Sequence, residues 1–414
     1  MKEEIISNLD NPKKLEKLYR DDVRSFKQAF DSIYPDFKDT QIVQVWNERL
    51  NFENEEISWG NQYELLFIIV ASFLAGLLAK IPDFLPVDAD FFYSRNTAFI
   101  VFPLLIVYFT WRQKNQNKSI AITSVVLLLS CFYINFLPNN KESDTLVLAC
   151  IHLPLFLWTV LGFSFVGNNR KDYRRWLDFL RYNGDVVVMS TIILIAGIVL
   201  TMITFGLFGL TGLRIEEFYM RYIVVWGIAA SPIVGTYLVQ TNPQLVNKVS
   251  PVIAKVFTPL VLVTLIAYLL AAIGTGKDPY SDREFLLVFN ILLIAVMAII
   301  LFSIVVTSKR AGSNVGLFLL LSLAIITVIV NGTALSAILY RISEWGFSPN
   351  RLAVFGSNIL VLAHLLVLTY GLFKTIRDRS QIEFVEKSIA YYLPIYGLWT
   401  IFVTFIFPLL FHFQ

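Results

Sequence analysis

Few residues in this chain have the right type and spacing for chemistry. Arg341, Glu344 and Arg351 crowd into the stretch 340–351 beside Tyr340, Trp345 and Phe347. A guanidinium grips carboxylate or phosphate through two parallel N–H donors, so this pattern points to an anionic solute or a lipid headgroup. The same residues also suit a rigid turn, with Arg341 paired to Glu344 and the aromatics at a membrane interface. Neutral polar residues stand in apolar surroundings at His152, Asn290, Asn331, Ser357, Asn358 and His364. An Asn or His in such a setting either makes an interhelical hydrogen bond or lines a solute path. Ser357 and His364 are seven residues apart, which puts them on one helix face. The candidate substrate-binding residues are Arg341, Glu344, Arg351, Asn331, Asn358 and His364.

Signatures of other chemistries are missing. The sequence has no Walker-type phosphate loop, no HExxH helix and no dinucleotide glycine fingerprint. His152, His364 and His412 are its only histidines, and Cys131 and Cys150 its only cysteines. No cofactor, metal site or disulfide framework is expected, and no catalytic residue can be assigned. Glu344, Glu216, Glu217 and the aspartates Asp83, Asp88 and Asp90 are the carboxylates a transferase could use. No acidic residue falls at the centre of an apolar segment, which argues against a proton pump.

The elements that must position these residues are membrane helices. Of 414 residues, 56% are hydrophobic and 16% charged, against about 25% charged in soluble domains. A helix needs about 20 apolar residues to cross the hydrocarbon. Eleven segments qualify: 65–81, 96–111, 120–137, 145–166, 186–213, 222–240, 256–273, 285–306, 315–339, 352–373 and 389–411. The expected fold is all-α, a polytopic transmembrane bundle of about eleven spans (61–414) behind a small helical cytosolic segment (1–60). Asn331-Gly332-Thr333 and the glycines 206, 209 and 212 mark spans that could be broken or closely packed. A short interfacial helix is expected at 250–259.

Charge sets the orientation. Alternate loops 112–119, 167–185, 241–255, 307–314 and 374–388 hold 16 Lys/Arg, and the other five loops hold 8. By the positive-inside rule the first set is cytoplasmic, which places the N-terminus inside and the C-terminus in the periplasm. Arg170, Lys171, Arg174, Arg175 and Arg181 form the strongest anchor, or a contact for anionic lipid. The net charge of +3 gives no nucleic-acid footprint.

Residues 1–60 carry 9 Lys/Arg and 13 Asp/Glu. They read as two amphipathic helices. Asn11-Pro12 starts the first, Leu15, Leu18, Tyr19, Phe26 and Phe30 line it, and Tyr34-Pro35 ends it. Ile42, Val45, Trp46 and Leu50 line the second. The segment is either a hairpin docked on the membrane body or a module for a cytosolic protein partner. The opening MKEEIISNLDNPKK has no apolar core, so it is not expected to act as a signal peptide.

Longer stretches carry a family resemblance: NPKKLEKLYR, FKQAFDSIYPD, WNERL, SPVIAKVFTPL (250–260), YRISEWGFSPNR (340–351) and YYLPIYGLWTIFV (391–403). The chain resembles bacterial multipass proteins of domain-of-unknown-function family 4153, in the form found in Bacteroidetes, over essentially its whole length. Gly346-Phe347-Ser348 departs from the Gly-Leu-Thr common there. The resemblance implies a bacterial inner-membrane protein and brings no activity with it. Three functions stay open: a transporter or permease-like protein for a small or lipid-like anionic solute, a membrane-embedded transferase acting on envelope or lipid-linked substrate, and a sensor or scaffold signalling through residues 1–60. Membrane lipids are the expected partners in each, and the oligomeric state stays open.

Overall fold

The computed structural model describes residues 1–21, 23–38, 40–52, 60–113, 117–140, 142–210, 215–243, 245, 258–263, 265–266, 283–308 and 314–413. They are mostly helical, with no strand among them. The chain divides into two compact units, Met1–Gly60 and Asn61–Gln414.

The first unit holds α1 (Lys2–Ile6), α2 (Pro12–Asp21), α3 (Val23–Phe37) and α4 (Gln41–Phe52). Asn11 caps α2, accepting from the Lys14 amide at 3.2 Å. Leu15, Tyr19, Phe26, Phe30, Trp46 and Leu50 are buried together, as their spacing predicts, and Ile5, Ile33 and Val43 join them. Three expectations fail. The segment holds four helices rather than two, with the first expected helix divided between α2 and α3. Pro35 lies inside α3 rather than ending it. Val45 is 56% exposed while Val43 takes the inward position, which is the 43, 46, 50 register of a helical stripe. Arg49 bridges α4 to α2: it pairs with Glu16 at 2.6 Å and stacks on Tyr19 and Trp46. Hydrogen bonds from Arg49 and Arg20 hold the Glu16 carboxyl below its usual range.

The second unit is a bundle of long apolar helices: α5 (Gln62–Ala79), the short α6 (Ile81–Phe84), α7 (Ala89–Arg112), α8 (Asn117–Phe136), α9 (Asp144–Val166) and α10 (Tyr173–Leu210). Next come α11 (Glu216–Thr241), α12 (Arg283–Ser308), α13 (Asn314–Trp345), α14 (Pro349–Arg377) and α15 (Arg379–Leu410). Nine helices among the described residues are long and apolar enough to cross a membrane: α5, α7 to α11, and α13 to α15. They coincide with nine of the eleven expected segments. The expected span 285–306 falls in α12, whose stretch Asn290–Val305 is apolar. The span at 256–273 and the interfacial helix at 250–259 lie largely outside the described residues. Within 258–263 and 265–266, Thr258 meets Ser303 of α12 at 2.9 Å and Leu265 joins the core.

Several helices begin earlier than hydropathy indicates, because polar caps and charged first turns extend them. Asp88 caps α7, accepting from the Phe91 amide at 2.8 Å, so Arg95 is a helix residue and only 2% exposed. It donates to the Leu137 carbonyl at 3.0 Å and to that of Ile134, the last turn of α8, where the helix dipole favours a cation. Likewise α10 begins at Tyr173, which places Arg181 and Asp185 inside a helix rather than in a loop. Asp185 is 6% exposed, so a carboxylate does stand within a spanning helix.

Contacts between helix ends sort the loops into two sets. At one end Arg112 donates to Gln240 at 2.8 Å, and Tyr173 reaches Glu383. At the other, Arg221 pairs with Asp83 at 3.0 Å, and Ser143 donates to the Phe413 carbonyl at 3.0 Å. These pairings follow the strict alternation of an up-and-down bundle. Segment 110–113 and the turn after α9 share the first end, called the basic end below.

Candidate functional site

The stretch 340–351 is less of a loop than its composition suggests. α13 continues to Trp345 and α14 starts at Pro349, so only Gly346–Ser348 lie outside the helices. Gly346 takes φ +74°, a left-handed conformation open to glycine at little cost. Ser348 caps α14, accepting from the Arg351 amide at 3.3 Å. Arg351 donates from Nη1 to the carbonyls of Trp345 and Gly346, both at 2.8 Å, so it closes the C-terminus of α13. That is a structural task for a residue expected to bind substrate. Arg341 lies 5.2 Å from the Trp345 ring centre and Arg351 5.8 Å from it. No ion pair joins Arg341 to Glu344; instead the buried Nη1 of Arg341 has no hydrogen-bond partner. Glu344 is exposed.

α13 and α14 form an antiparallel hairpin from this turn. At about 1.5 Å per residue, Asn331 and His364 each lie roughly 21–23 Å from the turn, and Asn358 about 13 Å. All three are inside a hydrocarbon layer of about 30 Å. α13 is unbroken through Asn331-Gly332-Thr333, and α10 is unbroken through Gly206 and Gly209; Gly212 lies outside the described residues. Asn331 falls on the buried stripe Leu320, Ala324, Thr327, Ala334, Ile338 and is itself 0% exposed. Neither its carboxamide oxygen nor its nitrogen has a partner.

His364 turns toward α15. Tyr392 stacks on its ring at 4.1 Å, and Nδ1 meets the Tyr396 hydroxyl at 2.9 Å, leaving Nε2 buried and unpartnered. Ser357 shares that face, as its spacing predicts, and accepts from Trp399 Nε1 at 2.9 Å. Asn358 is about 120° away around α14, with Nδ2 buried and unpartnered. The expected residues thus line two seams of α14. No hydrogen bond joins Asn331, Asn358 and His364 to one another. His152 is occupied locally by the Leu148 carbonyl at 2.9 Å.

No family model, no curated protein and no solved structure matches the chain.

Other charged clusters escaped the sequence reading. Tyr108 donates to Glu64, and Arg112 reaches Tyr108 at 3.0 Å and Glu64 at 3.6 Å, tying α5 to α7 near the basic end. Asp178 pairs with Arg181 at 3.1 Å, and Arg181 donates to the Val305 carbonyl of α12 at 2.8 Å. Hydropathy averages hide such groups, since each lies within two turns of a helix end. At the opposite end two of the carboxylates suggested for a transferase have other work, while Glu216, Glu217 and Glu344 are exposed. Asp83 pairs with Arg221 and Lys80, whose hydrogen bonds hold its carboxyl below the usual range. Asp88 caps α7.

Proposed function

We propose that the protein is a permease-like carrier of a small or lipid-like anionic solute. One observation carries this reading: a fully buried carboxamide, Asn331, with no partner at either end. A buried amide left unpaired costs about 1–3 kcal/mol, so a polar ligand or water belongs beside it. Unpaired donors also occur at Arg341 and Asn358, at shallower depths along the same hairpin. Unpaired N–H donors suit an anion. Placement in a bacterial cytoplasmic membrane, with residues 1–60 inside, belongs to the same proposal; the basic-residue count and the family resemblance support it.

The test is flux in reconstituted vesicles loaded with small carboxylates or phosphate esters. Anion flux above that of protein-free vesicles, lost in Asn331→Leu and reduced in Arg341→Gln, is the expected result. Absence of flux for every anion in the series contradicts the proposal.

A further inference from the structure

We propose that a cavity at the basic end binds the phosphate of an anionic membrane lipid. The cavity has a volume of about 380 Å3 and is lined by Gln113, Val166, Asn168, Asn169 and Arg175. Three helix ends build it. Gln113 follows the last residue of α7, Val166 closes α9, and Arg175 stands in the first turn of α10. A cavity formed where spanning helices stop lies at headgroup depth. Gly167, at φ +62°, turns the chain between α9 and the two asparagines.

The lining is matched to a phosphodiester. Arg175 is exposed, and among the described residues its guanidinium has no hydrogen bond or ion pair. A guanidinium takes phosphate oxygens in a two-pronged grip. Asn168 and Asn169 add carboxamide donors, and Val166 supplies an apolar wall for the glycerol end of a lipid. Gln113 is already committed, donating to the Phe165 carbonyl, so it fixes the shape of the cavity. Arg170, Lys171 and Arg174 stand in the same stretch of chain and add positive charge to this end. The one carboxylate in this turn, Asp172, accepts from the Arg174 amide at 3.0 Å. A cluster of this kind at the end of a helix bundle attracts anionic headgroups. The site is separate from the Asn331 path and does not depend on it.

Native mass spectrometry of the detergent-purified full chain tests this, with titration by phosphatidylglycerol, phosphatidylcholine or inorganic phosphate. Phosphatidylglycerol should bind in preference to phosphatidylcholine. Arg175→Gln should weaken that binding by about tenfold, the value of one charge-assisted contact. Asn168→Ala should weaken it less, and it serves if Arg175→Gln does not fold. Lys171→Gln, outside the lining, removes only nearby charge and should weaken it less than Arg175→Gln does. Equal binding by wild type and both cavity variants overturns the proposal. So does an equal loss in Lys171→Gln, which would mean diffuse surface charge. Binding of inorganic phosphate without phosphatidylglycerol overturns it as well, because the ligand is then a free anion.

Discussion

Asn331 holds a polar amide where leucine would pack. Its neighbours on the stripe are apolar or small, and nothing among the described residues satisfies it. Asn331→Leu should therefore raise the stability of the purified protein, by about 1–3 kcal/mol, while abolishing anion flux. A loss of stability would mean that the amide has a structural partner. The two arginines of the turn should separate in the same way. Arg351→Ala removes two hydrogen bonds that close α13 and should lower stability by about 1 kcal/mol, with flux retained. Arg341→Gln should leave the melting temperature unchanged and reduce flux. In sequence these two residues share one role because both fall in a short arginine-bearing stretch around Trp345; only the backbone path shows that Arg351 faces the carbonyls at the end of α13.

Helix packing is where small residues tell. A Cβ on Gly356 would lie 2.1 Å from Trp399, so α14 can approach α15 only with glycine there. Gly356→Ala should destabilise by about 1–3 kcal/mol through overpacking. Gly332 has open space around it, and α13 is regular there, so Gly332→Ala should stabilise by about 0.5–1 kcal/mol. Thermal unfolding of the two variants decides both. The link between α6 and α11 is electrostatic. Because the Asp83 carboxyl is depressed by Arg221 and Lys80, its contribution is complete above its ordinary pKa and is lost as the pH falls through the depressed folded value. Asp83→Asn should flatten the acid limb of stability against pH while leaving its neutral limb parallel to wild type. The helices themselves were legible from runs of apolar residues. Their beginnings were not: Asp88 as a cap and Arg95 as a buried partner of α8 carbonyls read as loop charges until the neighbouring helix is placed.

At the scale of the molecule, alternation was legible and convergence was not. Loop pairings such as Arg221 with Asp83 and Ser143 with the Phe413 carbonyl reproduce the alternation expected from hydropathy. Thiol labelling of cysteines introduced at Asn169 and Asn140 should mark opposite faces, with Asn169 cytoplasmic if the basic end faces inward. Labelling of both from one side would break the bundle's alternation. Ser357 and His364 could be paired in advance by their seven-residue spacing. The separation of Asn358 from that seam, and the isolation of Asn331, depend on which neighbours α13 and α14 choose. The most direct measurement is a density map of the full chain in native lipid. Density within hydrogen-bond reach of the Asn331 carboxamide is the predicted result. A dry carboxamide, packed on all sides by apolar side chains, would contradict a solute path through this bundle.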